Sequence, residues 1–292
     1  MQNNIIIISR SDNEATVPKI IVRARNDNET STTIEAIRTH LLQRHSSFSV
    51  NLSTSEARGY TATNADLPFY LINRACSYKK PFVNNDFDYL RRSVRKISCR
   101  IVQMNAQITA SYDIDYLTTL HQEEQIDRFL QNLFREKNVY KIRDEFTKIK
   151  FCYDYIVANV KYDHTFARHS AYNALIENTA VCEGCAQLLY RCLSMCSVPC
   201  RIITGRGLSE THAWNIIKLN NKWYNADVTW DLYKNVIERD LSLYGYFLKS
   251  DKTFHNHTRD ISFATQSFNA MHPMSSTDYV LHRGLRNFFG RS

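Results

Sequence analysis

The chain has 292 residues, 43% hydrophobic and 12% aromatic, with only 7 Gly and 5 Pro; this excludes a linker-rich or disordered protein and leaves room for one large domain or two modest ones. A net charge of +8 invites nucleic acid or an anionic surface, but no helix-turn-helix, zinc-finger or RNA-binding pattern accompanies it. No apolar run approaches the ~18 residues of a membrane span, so the expectation is a protein that is cytoplasmic, or exported without a recognisable signal peptide.

In chain order, residues 1–30 are rich in Asn, Asp, Thr and Ser between short Ile/Val runs, and read as a disordered tail or a single early strand. An N-terminal α/β segment is expected over 31–115. It opens on an amphipathic helix with Ile34, Ile37, Leu41 and Leu42 on one face, after Ser and Thr residues suited to cap it. Residues 48–72 are mixed and turn-rich. Residues 86–96 read as a further helix, whose run Arg91-Arg92-Ser93-Val94-Arg95-Lys96 would be its solvated face. Val102, Met104, Ala106 and Ile108 then alternate with Gln103, Asn105 and Gln107, which predicts one strand with a buried face.

The main domain is expected over 116–292. Two helices open it: 119–137, carrying Leu120, Ile126, Leu130, Leu133 and Phe134, and 141–159, carrying Ile142, Phe146, Ile149, Tyr153, Ile156 and Val157. A third runs from Cys182 to Ser197 and is stopped by Pro199. Strands follow at 200–204, 212–219 and 222–230, the last two joined by a tight Asn220-Asn221 turn. Eight cysteines in so long a chain are not a disulfide scaffold. Five of them (Cys182, Cys185, Cys192, Cys196 and Cys200) crowd into this helix and its end, and free buried thiols are the simpler reading.

The chemistry-bearing residues gather in the same stretch. Cys182 stands where loop gives way to helix, and unpaired backbone N–H groups at a helix start favour a thiolate. If Leu219 pairs with Lys222 across the turn, Asp227 falls opposite Trp214 and diagonal to His212. Such a diagonal sets Cβ atoms about 7–8 Å apart, close enough for a carboxylate to orient an imidazole. Asp231 has the parity of Asp227 but lies too far along that strand from His212.

The runs His169-Ser-Ala-Tyr-Asn-Ala-Leu175, Ala180-Val-Cys182-Glu-Gly184, Thr211-His212-Ala-Trp214-Asn215 and Lys222-Trp-Tyr-Asn-Ala-Asp227-Val-Thr-Trp-Asp231 closely resemble the transglutaminase-like superfamily, its bacterial branch above all. The resemblance is specific from about 145 to 255 and does not extend to residues 1–90. It implies an α+β fold with a papain-like core, in which a helix bearing the nucleophile packs on an antiparallel sheet. By the same resemblance Cys182 would be the nucleophile, His212 the general base and acid, and Asp227 the orienting carboxylate. The implied function is thiol-dependent acyl transfer on peptide or Gln amide bonds through a thioester, as a cysteine peptidase, transglutaminase or deamidase. The partner would be a protein or peptide substrate. Tyr172 is a candidate oxyanion partner beside the Cys182 N–H, and Trp214 a candidate wall of the substrate cleft. No cofactor and no metal are expected.

Two features compete with that reading. Where the branch commonly carries an aromatic residue this chain has Cys185, so Cys182-Glu-Gly-Cys185 also reads as a redox pair or half a zinc site. Zinc would have to recruit Cys196 and Cys200 from the far end of the same helix, a poor geometry for four-coordinate closure. A non-catalytic binding module on the same fold is the other alternative. His164, His169, His255 and His257 show no pattern above surface or packing histidines. The substrate, the acyl acceptor and the oligomeric state are not legible.

Overall fold

The computed structural model describes residues 5–11, 32–52, 67–77, 87–104, 107–232 and 244–280. They divide into two compact units, Met1–Glu123 and Glu124–Ser292.

The first unit is built on a four-stranded antiparallel sheet ordered β1-β3-β4-β2. Its elements are β1 (Ile5–Ser11), α1 (Thr32–Leu42), β2 (Ser47–Leu52), α2 (Leu67–Cys76), α3 (Phe87–Arg92), β3 (Val94–Met104) and β4 (Gln107–Tyr116). Alternate residues of β2, Phe48, Val50 and Leu52, are buried in one core with Ile37 and Leu41 of α1, Leu71 and Ala75 of α2, and Tyr112 of β4. The period-2 and three-to-four spacings thus meet on one apolar surface. Two expectations are corrected. The helix predicted over 86–96 ends at Arg92, and Val94 already starts a strand whose register shifts by a bulge between Val94 and Lys96. The single strand read from Val102 to Ile108 is the meeting of two, β3 and β4, which pair as far as Met104 with Gln107. Alternation is the same on both sides of a hairpin, so parity alone does not reveal the turn. Ile5–Ser11 is a strand, and the remainder of the predicted tail lies outside the described residues.

Helix α4 (Leu120–Glu136) crosses the division into the second unit. There follow a 3₁₀ turn at Val139–Lys141, α5 (Glu145–Asn159), β5 (Lys161–Tyr162), α6 (Ala171–Ile176), β6 (Thr179–Ala180) and α7 (Cys182–Met195). Next come β7 (Cys200–Gly207), β8 (Glu210–Leu219), β9 (Lys222–Ala226), α8 (Val228–Asp231), β10 (His257–Arg259) and α9 (Gln266–Met271). The sheet is antiparallel throughout, in the order β10-β7-β8-β9.

Both faces of this sheet are covered, which is why residues 212–217 of β8 are buried without alternation. On one side lies α7, whose Ala186 carbonyl accepts from the Asn215 amide at 3.1 Å. On the other, Trp214 and Ile216 join Ile203, Trp223, Phe254 and Phe268 in a second core. The β8–β9 hairpin has the predicted register, Leu219 opposite Lys222 and Asn215 opposite Ala226. Its turn residues Asn220 and Asn221 both have positive φ, 50° and 62°, as a two-residue turn of this twist requires. The architecture is mixed α and β, an antiparallel sheet with helices packed against it.

Candidate active site

Strand β8 runs past the end of β9, and His212 sits on that overhang, paired with Gly205 of β7. Sequence reading carried β9 on to Trp230; instead the chain turns after Ala226, and Asp227 becomes the N-cap of α8. Its Oδ1 accepts from the backbone N–H groups of Thr229 and Trp230 at 3.0 and 3.3 Å. An aspartate does this well because its short side chain reaches the unpaired donors of a first turn. Capping turns the other oxygen, Oδ2, toward His212 Nε2 at 2.7 Å. Asp227 and His212 are therefore in contact through a route the extended-strand reading did not contain.

The same Oδ2 receives a second imidazole. His257 Nε2 lies 3.0 Å from it, and His257 Nδ1 lies 2.9 Å from the His255 carbonyl. The His257 ring is stacked on Phe254 at 3.9 Å and bounded by Trp230 at 4.2 Å and Trp214 at 5.1 Å. Pairing of β10 with β7, His257 opposite Gly207, brings it here. A Cβ on Gly207 would stand 2.9 Å from His212 Cγ and 3.0 Å from Trp230 Cζ2, so the missing side chain makes room for the imidazole.

Burial works to strip the proton from His212. The hydrogen bonds to Asp227 and Cys182 and the charges of both outweigh it, and the imidazole pKa is raised to about 10. Burial pushes Asp227 up, but the two imidazoles hold its carboxyl below the usual range. At neutral pH the pair is an imidazolium beside a carboxylate.

Cys182 is the first residue of α7 and half-buried, while the other seven thiols are buried. Val181 caps that helix without a side-chain hydrogen bond, so its first-turn N–H groups have no such partner. Burial pushes the Cys185 thiol far up, which leaves no exposed dithiol at 182 and 185. Cys196 caps the opposite end of α7, and Cys200 accepts from Asn215, so neither faces Cys182.

The function expected from sequence is corrected here. The groups gathered around Asp227 are His212, Asp227 and His257, whose ligand-type atoms all lie within 4.8 Å of one another, and none is a cysteine. Cys182 borders this cluster through His212 and is not one of its three members. A Cys–His–Asp triad running thioester chemistry is therefore not what the cluster is. Two imidazole nitrogens and a carboxylate oxygen are also a donor set that a divalent transition metal accepts.

His257 was missed because nothing local marks it: it reaches Asp227 only through strand pairing. The one signal was its place in a short polar run after Phe254, which many surface loops share. Trp214 is buried against both imidazoles, with its indole N–H 3.4 Å from Asn225 Oδ1, and also lines a cavity of about 350 Å³ with Phe254, His257 and Arg259. Tyr172 lies half-buried in the first turn of α6. Asp231, read as lying along the strand, is in α8; its buried carboxylate accepts from the Tyr153 hydroxyl and the N–H groups of Gly245 and Tyr246.

A helix, a strand and a capped turn converge on a buried imidazole–carboxylate pair, within a mixed α and β fold consistent with a papain-like core. Residues 134–228 match the model of the transglutaminase-like superfamily. Cys182, His212 and Asp227 lie inside the matched stretch and His257 beyond it. Among solved structures the chain is similar to one described as a TGase, with 16% identity, a TM-score of 0.36, and cover of 56% of this chain and 52% of that one. It is also similar to a candidate cysteine protease from Cytophaga hutchinsonii, with 21% identity, a TM-score of 0.32, and cover of 46% of this chain and 57% of that one. The chain thus spans little more than half the length of these solved structures. No curated protein matches it.

Proposed function

We propose that the second unit is an enzyme of the hydrolase or acyltransferase class acting on protein or peptide substrates, with His212 as its proton-transfer group. Cys182, His212, Asp227 and His257 are its site residues. The observation that carries this reading is the buried His212–Asp227 contact at 2.7 Å, which keeps a proton on the imidazole at neutral pH. Sequence reading gave His212 the part of general base and acid. A pKa near 10 makes the resting group an acid and a fixed positive charge: it hydrogen-bonds an oxygen or nitrogen that gathers negative charge and hands over its proton as that charge develops. Asp227 stabilises the imidazolium before transfer and holds the ring's orientation. Its other oxygen, tied to the first turn of α8, keeps the carboxylate from turning away. Family likeness and fold support the class of reaction, and the site's chemistry supports the role of the imidazole.

The test is incubation of the full chain with casein, with and without a primary amine, followed by mass spectrometry of intact chains and peptides. His212→Gln keeps a polar side chain of similar length and removes the titratable proton. It is expected to lower turnover by about 10²–10⁴-fold with folding unchanged by circular dichroism. Equal turnover in wild type and His212→Gln, or none in the wild type across a panel of protein substrates, would overturn the proposal.

A further inference from the structure

Three thiols meet where the C-terminal half of α7 packs on α5. Cys152 Sγ and Cys196 Sγ are 4.0 Å apart, and Cys192 also hydrogen-bonds with Cys152. Cys152 is fully buried, whereas Cys196 caps α7, is 7% exposed, and precedes exposed Ser197. A small oxidant can therefore reach one sulfur of the pair while the other waits behind it. We propose that Cys152 and Cys196 are an oxidant-sensitive pair that closes to a disulfide, bolting α5 to the far end of the helix that begins at Cys182.

The two sulfurs differ in character, which gives the reaction a direction. The hydrogen bond from Cys152 lowers the Cys196 pKa against the effect of burial, and the Lys148 charge adds to the lowering; burial pushes Cys152 up. Cys196 is the attacking thiolate and Cys152 the resolving thiol. With hydrogen peroxide, the Cys196 sulfur takes one oxygen as the O–O bond breaks, leaving a sulfenic acid and, after protonation, one water. The Cys152 sulfur then attacks the Cys196 sulfur, the S–O bond breaks, and a second water leaves with the Cys152 proton. Two thiols lose two electrons in all, and one peroxide becomes two waters. Bond formation brings the sulfurs from 4.0 Å to about 2 Å. The inference does not rest on the chemistry proposed for His212, and its readout needs no activity.

The experiment treats the reduced full chain with a few equivalents of hydrogen peroxide, blocks the remaining thiols with N-ethylmaleimide, and maps unreduced peptides by mass spectrometry. The expected result is a dominant Cys152–Cys196 cross-link that dithiothreitol removes and that is absent from Cys196→Ala, with no other intramolecular link in its place. A dominant link of Cys152 to Cys192, a Cys182–Cys185 link, or oxidation confined to Cys182 would overturn the proposal. The wild-type map decides the question by itself should the variant fail to fold.

Discussion

At Asp227 one carboxylate serves three elements at once: Oδ1 starts α8, and Oδ2 binds an imidazole from β8 and another from β10. The consequence for stability has a definite sign. His212 has a folded pKa of about 10 against an ordinary value of 6.5, so its contribution is complete below 6.5 and drains away as pH rises toward 10. Asp227, held low, contributes above the ordinary carboxyl range and loses that contribution in acid. The pair stabilises most from just above the ordinary carboxyl range up to pH 6.5, and an amount on the order of a few kcal/mol is lost between pH 6.5 and pH 10. Urea unfolding midpoints measured from pH 6 to pH 10 should fall along this window in the wild type. Asp227→Asn should flatten that fall and return the His212 ring to titration near its ordinary value by NMR. A midpoint in Asp227→Asn that kept the wild-type slope would show that the shift has another source.

Secondary-structure elements, more than single residues, decided what could be foreseen. Helices α4, α5 and α7 were legible because each repeats apolar residues at three and four positions along a long segment. The β8–β9 hairpin was legible because Asn220-Asn221 leaves few choices of turn. Replacing Asn221 by Val, a side chain that resists positive φ, should cost about 1–2 kcal/mol, while Asn221→Gly should cost nothing measurable in thermal unfolding. The turn of the chain at Asp227 was not legible, since Asn-Ala-Asp-Val-Thr-Trp suits a strand as well as a cap. Nor was β10, a three-residue strand whose partner in β7 lies some fifty positions away in sequence. Its contact with β7 depends on Gly205, where an added Cβ would fall 1.9 Å from the Thr258 carbonyl oxygen. Gly205→Ala should therefore push β10 off β7 and carry His257 away from Asp227, at a cost of about 1–3 kcal/mol. Ring-nitrogen NMR should show the His257 resonance moving while His212 stays close to its wild-type position; an unmoved His257 would mean that Phe254 and Trp230, and not the strand pairing, hold it.

On the scale of the whole chain, the two units have separate apolar cores, one centred on Ile37, Leu41 and Tyr112 and the other on Ile203, Trp214 and Phe254. The chain's three Trp, Trp214, Trp223 and Trp230, all belong to the second unit, so indole signals report on that unit alone. If each core suffices for its own unit, a fragment of residues 117–292 should fold and keep the site. The cut costs α4 the partners of Glu123, which accepts from the Tyr89 hydroxyl and pairs with Arg44, both at 3.0 Å. Those contacts belong to the first unit, and their loss should fray only the first turn of α4, because Ile126, Leu130 and Phe134 follow it as fully buried residues. The near-ultraviolet circular dichroism of the fragment should therefore superimpose on that of the full chain, with an unfolding midpoint by tryptophan fluorescence within a few degrees of the parent. A fragment without near-ultraviolet signal would show that the second core is stable only with residues 1–116 attached, and the site would then have to be understood as a property of the entire chain.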